Sequence, residues 1–104
     1  MEDGSALRRM LEARSVAVVG ASAKAGSLGA QMLAELRRGG FDGAIHPVNP
    51  GYDELDGLRC FPSILDVPEP VDLAILGVAN ARIEQAMRDA AAAGAASVVT
   101  FSSL

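Results

Sequence analysis

The densest chemistry in the chain lies in ten residues, Gly20-Ala-Ser-Ala-Lys-Ala-Gly26-Ser-Leu-Gly29, placed between an apolar run and a helical pattern. Three glycines at a strand-to-helix turn suit an anion. Gly20 can turn the backbone sharply off the strand, and Gly26 can let main chain come close to a phosphate. Gly29 falls in the first helical turn, where a missing side chain permits close packing on a sheet. Ser27 can cap that helix, whose free N–H groups and positive dipole end point at the same place. A diphosphate fits such a loop; the plain alternative is a βα turn whose glycines are structural. Lys24, the only lysine beside eight arginines, lies inside the loop, either as a phosphate contact or as a solvated side chain.

The spacing narrows the choice of cofactor. The dinucleotide fingerprint G-x-G-x-x-G has one residue between its first two glycines, whereas Gly20 and Gly26 have five between them. In that fingerprint an acidic residue ends the second strand and holds the ribose 2′-hydroxyl of NAD. Here the second apolar run ends in "VNP", with Asn49 at that position. An amide can bond to ribose or adenine and does not repel a phosphate, so a ribose-phosphorylated nucleotide is better tolerated than NAD. The loop lacks the Gly-Lys-Ser/Thr of a Walker motif, which excludes ATP held in that manner.

No catalytic constellation is evident elsewhere. His46, the only histidine, stands inside a strand pattern beside Pro47 with no carboxylate near it in sequence, and reads as structural or as a minor ligand contact. Cys60 reads as a small core residue without metal-ligating neighbours. Glu69 with Asp72, and Asp53 with Glu54 and Asp56, read as solvated connector charge.

The elements that must position the loop follow from periodicity and punctuation. Residues 5–13 have the spacing of a short helix capped by Ser5. Residues 15–20 read as a buried central strand. A helix capped by Ser27 presents Leu28, Met32, Leu33 and Leu36 on one face and stops at Gly39 and Gly40. Residues 44–50 form a second strand, with pairing incomplete at Pro47. Residues 51–70 read as an irregular connection, with one edge strand around 58–61 and a helical turn in 62–68. Residues 71–78 are a further strand, followed by a helix from a cap at Asn80 to Ala93, with Ile83, Met87 and Ala90 inward. Residues 96–103 are the last strand. Strands alternating with helices predict right-handed βαβ units in an α/β domain. The expected fold is a Rossmann-like open parallel sheet of four to five strands flanked by helices, in the order 3-2-1-4-5. Ligands then bind at the switch point beyond the strand ends.

Composition sets the outer limits. One domain spans residues 1–104, and half of the residues are hydrophobic with only four aromatics, so the core is aliphatic. No apolar run reaches the roughly 18–20 residues that span a bilayer, and the first residues carry no secretory h-region. A lone cysteine fits the reducing cytoplasm. A net charge of −4 argues against nucleic acid. The final strand leaves an open sheet edge, which favours self-association of the chain alone.

Four stretches, "SVAVVGAS…GSLG", "GFDGAIHPVNP", "GLRCFPSILDVPEPVDLAILGV" and "SVVTFSS", together resemble the CoA-binding domain of NDP-forming acyl-CoA synthetases. That domain is similar to the N-terminal part of the succinyl-CoA synthetase alpha subunit, and the likeness covers residues 13–103. It implies coenzyme A as the ligand, whose ribose 3′-phosphate agrees with Asn49. It assigns Gly20, Ser22, Gly26, Ser27, Leu28 and Gly29 to the phosphates and adenosine, and Asn49 and Pro50 to the border of adenine or ribose. Val78 and Ala79 correspond to a valine-proline turn lining the CoA site, and Thr100, Phe101 and Ser102 to a strand end near the pantetheine arm. The chain departs from the pattern at Ala25, where proline is frequent, at Gly51, where lysine is common, and at Leu104, where glycine usually follows. Family synthetases also carry a phosphorylated histidine in a later domain and a nucleotide-grasp domain. The chain therefore reads as a binding module within a larger ligase or a related protein acetyltransferase, with further ligase domains or a subunit as partners. The alternatives are a stand-alone CoA- or nucleotide-sensing module and, third, an NAD(P)-binding oxidoreductase fragment.

Overall fold

The computed structural model describes residues 13–100. Four parallel strands form one sheet in the order β2-β1-β5-β6, where β1 is Ser15–Val19, β2 Ala44–Val48, β5 Leu73–Leu76 and β6 Ser97–Thr100. This is the Rossmann-like α/β sheet, with β1 and β5 inside. The register sets Val19 opposite Val48 on one side and Leu76 on the other, so three strand ends finish level. β1 and β5 are near-continuous apolar runs because both faces of the sheet are covered. Val16, Val18, Leu73 and Ile75 pack with Leu33 on one face; Ala17, Ala74 and Leu76 pack with Ala90 on the other.

Helix α1, Leu28–Arg38, covers the first face, and Ser27 caps it by accepting from the Ala30 N–H at 3.2 Å. It ends at Gly39, followed by Gly40 at φ +78°. Helix α2, Asn80–Ala92, covers the second face. Its N-cap is Ala79, which offers no side-chain hydrogen bond; Asn80 is already helical rather than the cap. Met87 is 47% exposed instead of inward, because the inward positions are Ile83, Ala86, Ala90 and Ala93 and one further residue turns about 100° away.

The expected fifth strand is the main difference. Leu58–Arg59 (β4) pairs antiparallel with Glu54–Leu55 (β3) in a separate two-stranded ribbon. Asp56 and Gly57 turn it, both at positive φ, 55° and 79°; two such residues make the tight hairpin turn. Only Phe61 reaches the main sheet, as an isolated parallel bridge to Val48. Its N–H donates to the Pro47 carbonyl at 3.0 Å and its carbonyl accepts from Asn49 at 2.8 Å. The next acceptor on that side of β2, the Asn49 carbonyl, takes the Tyr52 N–H instead at 3.3 Å, so the ladder stops after one bridge. The sheet is therefore four-stranded. The ribbon still serves the core, since Leu55 and Cys60 are buried in it. Burial pushes the Cys60 thiol pKa up, as suits an inert core residue.

A 3₁₀ turn, Ile64–Asp66, capped by Ser63, buries Ile64 under α2. The connector carboxylates are less free than their sequence position implies. Glu69 meets His46 at 2.7 Å, and Asp72 accepts from the Arg14 backbone N–H at 2.8 Å, fastening the start of β1 to that of β5. The proposed helix 5–13 lies outside the described residues except at Ala13, as do positions 101–103 of the last strand. Among the described residues no helix is long and apolar enough to cross a membrane.

Candidate functional site at the strand ends

Where β1, β2 and β5 finish level, the chain opens a cavity of about 440 Å³. Its sides are Val19 and Gly20, Val48 with Asn49 and Pro50, and Val78. The 3₁₀ segment adds Ile64, and α2 closes the far wall with Arg82, Gln85, Ala86 and Asp89. This is the crevice beyond the carboxyl ends of the strands at the point where strand order reverses.

The glycines divide the work of shaping it. Gly20 has φ +92°, and a Cβ there would run into the Gly77 carbonyl, with Val78 Cγ1 at 3.1 Å. A side chain at position 20 would therefore wedge β1 from the end of β5. A Cβ on Gly29 would fall on the Gly20 carbonyl and lie 3.0 Å from the Ala21 Cα. Helix α1 consequently starts in direct contact with the turn. Gly26 differs: φ is +84°, yet nothing lies within 4 Å of the position a Cβ would take. Its left-handed backbone faces open space beside the start of α1, where the Leu28 and Gly29 N–H groups have no acceptor within the helix. An anion can come close to main chain there.

Polar side chains brace the loop. The Asn49 Nδ2 donates to the Ala21 carbonyl at 2.8 Å while its Oδ1 accepts from the Gly51 N–H at 2.8 Å. One amide thus joins the ends of β1 and β2. Ser22 Oγ accepts from the Lys24 N–H at 2.9 Å. The Tyr52 hydroxyl lies 3.4 Å from Ser22 Oγ and accepts from the Ala23 N–H at 3.4 Å. The Ser22 contact, followed by that of Ala23, lowers the pKa of the phenol.

An Asn49→Asp substitution tests this brace. It keeps the acceptor for Gly51 but sets a carboxylate oxygen against the Ala21 carbonyl. Chemical denaturation should show a loss of about 1–3 kcal/mol, the cost of an unmade buried hydrogen bond. A loss within experimental error would mean that the loop stands without Asn49.

The structure brings Gly20, Asn49, Pro50 and Val78 into one cavity. Ser22, Lys24, Gly26, Ser27, Leu28 and Gly29 form the adjoining loop and the start of α1, with Lys24 exposed. Ala79 is the exposed cap of α2, and Thr100 the exposed end of β6 beside Leu76. Phe101 and Ser102 lie outside the described residues. Sequence reasoning missed Arg82, Gln85 and Asp89; their spacing of three and four on α2 already placed them on one helical face. His46 lies outside the cavity. Its ring is edge-on to Phe61, with centroids 5.9 Å apart, and bonds to Glu69, a carboxylate 23 residues away. No cluster of metal-ligating side chains occurs among the described residues.

This geometry coincides with a known family. Residues 14–104 match the family model described as a CoA binding domain. Acetate–CoA ligase (ADP-forming) II of Archaeoglobus fulgidus is 41% identical over 97 residues, covering 93% of this chain but 14% of that ligase. The alpha subunit of acetate–CoA ligase (ADP-forming) I of Pyrococcus furiosus is 34% identical, with 93% of this chain and 22% of the subunit covered. Among solved structures, dinucleotide-forming acetyl-coenzyme A synthetase 1 of Ca. Korarchaeum cryptofilum, in complex with phosphate and ADP, superposes with a TM-score of 0.82 at 39% identity. The match covers 86% of this chain and 19% of that one. A hypothetical protein from Pyrococcus horikoshii OT3 superposes with a TM-score of 0.80 at 28% identity, over 98% of this chain and 73% of its own. The chain belongs to the CoA binding domain family and is homologous to a segment of ADP-forming acyl-CoA ligases. It spans less than a quarter of each of these three ligase chains.

Proposed function

We propose that this chain binds coenzyme A as the CoA-binding module of an NDP-forming acyl-CoA synthetase, an acid–thiol ligase, or of a related protein acetyltransferase. The observation that carries this reading is the cavity at the strand ends lying against a glycine loop whose Gly26 is open to main-chain approach. The loop and the start of α1 take the diphosphate, and the cavity takes the adenosine. Apolar surfaces from Val48, Pro50, Ile64 and Val78 suit a flat base, with Gln85 supplying polar contacts. Thr100, at the end of β6 beside Leu76, borders the path of the pantetheine arm. Catalysis belongs to further domains or a partner subunit, which would also cover the exposed edge at β6, where Val98 is 36% exposed. The buried, unpaired Cys60 suits work in the cytoplasm.

A stand-alone CoA-sensing module is the second reading, and one observation favours it: the similar Pyrococcus horikoshii protein consists largely of this domain. Both readings require CoA to bind. Titration calorimetry with CoA, NAD and ADP should give the tightest binding for CoA, because no carboxylate ends β2 to hold a free ribose diol. Tighter binding of NAD than of CoA would defeat both.

A further inference from the structure

On the reading that the cavity takes the adenosine of CoA, we infer that Arg82 is the residue that recognises the ribose 3′-phosphate and so distinguishes CoA from nucleotides that lack it. CoA brings two separate anionic groups to the site, the diphosphate and the 3′-phosphate. The glycine loop and the start of α1 answer the first. The second needs a cation near the end of β2, yet the residue after Pro50 is Gly51 and contributes no charge. Arg82 is the one cationic side chain lining the cavity, which Asn49 and Pro50 also line.

Further observations favour this end of the groove for the phosphate. Among the described residues Arg82 makes no ion pair, whereas neighbouring Arg88 is paired with Glu84 at 3.2 Å and Arg37 with Asp56 at 3.8 Å. Its guanidinium is available to a ligand. Arg82 also lies in the first turn of α2, a helix with no side-chain cap and no acidic residue in that turn, so the dipole adds to its charge. At the other end of the same wall, seven residues on, Asp89 lines the cavity and accepts from Gln85 at 3.0 Å. The groove is thus cationic near Arg82 and anionic near Asp89, about 10 Å along the helix. Charge favours the Arg82 end for a ribose phosphate.

The experiment compares CoA with 3′-dephospho-CoA on the wild-type chain, Arg82→Ala and Arg82→Lys by titration calorimetry. The wild type should prefer CoA by about tenfold, the scale of one charge-assisted contact. Arg82→Ala should weaken CoA binding to the level of dephospho-CoA and leave dephospho-CoA itself unchanged, while Arg82→Lys keeps part of the preference. The side chain is exposed, so the melting temperature should not move. A preference that survives in Arg82→Ala overturns the assignment, as does an equal loss for both ligands, which would place the arginine at the diphosphate. Absence of discrimination by the wild type overturns it as well. Failure of the wild-type chain to bind either ligand defeats the CoA reading itself, a result visible before any variant is compared.

Discussion

Gly29→Ala is expected to lower the melting temperature by at least about 12 °C in a circular-dichroism melt. Helix propensity alone argues the opposite way, since alanine is favoured over glycine by about 1 kcal/mol inside a helix. The structure reverses that sign. The added methyl would fall on the Gly20 carbonyl and against the Ala21 Cα, and both neighbours are main chain. A flexible side chain could swing aside, but here α1 must retreat from the sheet or the turn after β1 must deform. Overpacking of this kind costs typically 1–3 kcal/mol and sometimes more; with backbone on both sides the upper end, about 3 kcal/mol, applies. For a domain of this size each kcal/mol moves the midpoint by roughly 4–8 °C. An unchanged or raised melting temperature would show that the helix start yields freely.

Gly26→Val should separate binding from stability in the opposite sense. No atom lies within 4 Å of the new Cβ, so the branch point itself is free, but valine at φ +84° is strained by roughly 1–3 kcal/mol. The fold survives with a modest loss. The side chain then occupies the open space assigned to the diphosphate and closes the approach to main chain. Calorimetry should show CoA affinity reduced by at least about 100-fold, or roughly 2.8 kcal/mol, while denaturation still shows a single cooperative transition. Normal CoA binding by this variant would mean that the loop is only a turn and that the phosphates lie elsewhere.

What sequence makes visible depends on how local its cause is. Strand β1, the Ser27 cap and the end of α1 at Gly39 and Gly40 follow from neighbouring residues, and they stand where periodicity and capping put them. The four-strand order follows from alternation of strands and helices with right-handed crossovers. The ribbon of β3 and β4 was hidden because each strand is two residues long and shows no alternation. Its one local signal was Asp56-Gly57, a pair suited to a tight hairpin turn. Met87 had helical spacing but the wrong phase, which only packing against the sheet settles. The glycine loop was legible because its chemistry is written in consecutive residues. The α2 wall was not, since Arg82, Gln85 and Asp89 gain meaning only once Val78 brings the helix over the ends of β1 and β2. The pairing of His46 with Glu69 was invisible for the same reason.

The Tyr52 tether makes the glycine loop optically addressable. The chain has one tyrosine and no tryptophan, so its near-ultraviolet absorbance and emission come almost wholly from a single phenol. That phenol touches Ser22 and Ala23, inside the loop proposed to take the diphosphate. Its hydroxyl contacts are long and readily remade, and an excited phenol responds strongly to the partner of its proton. Any displacement of the loop is therefore written into the intrinsic fluorescence of the unlabelled protein, with no second fluorophore to obscure it.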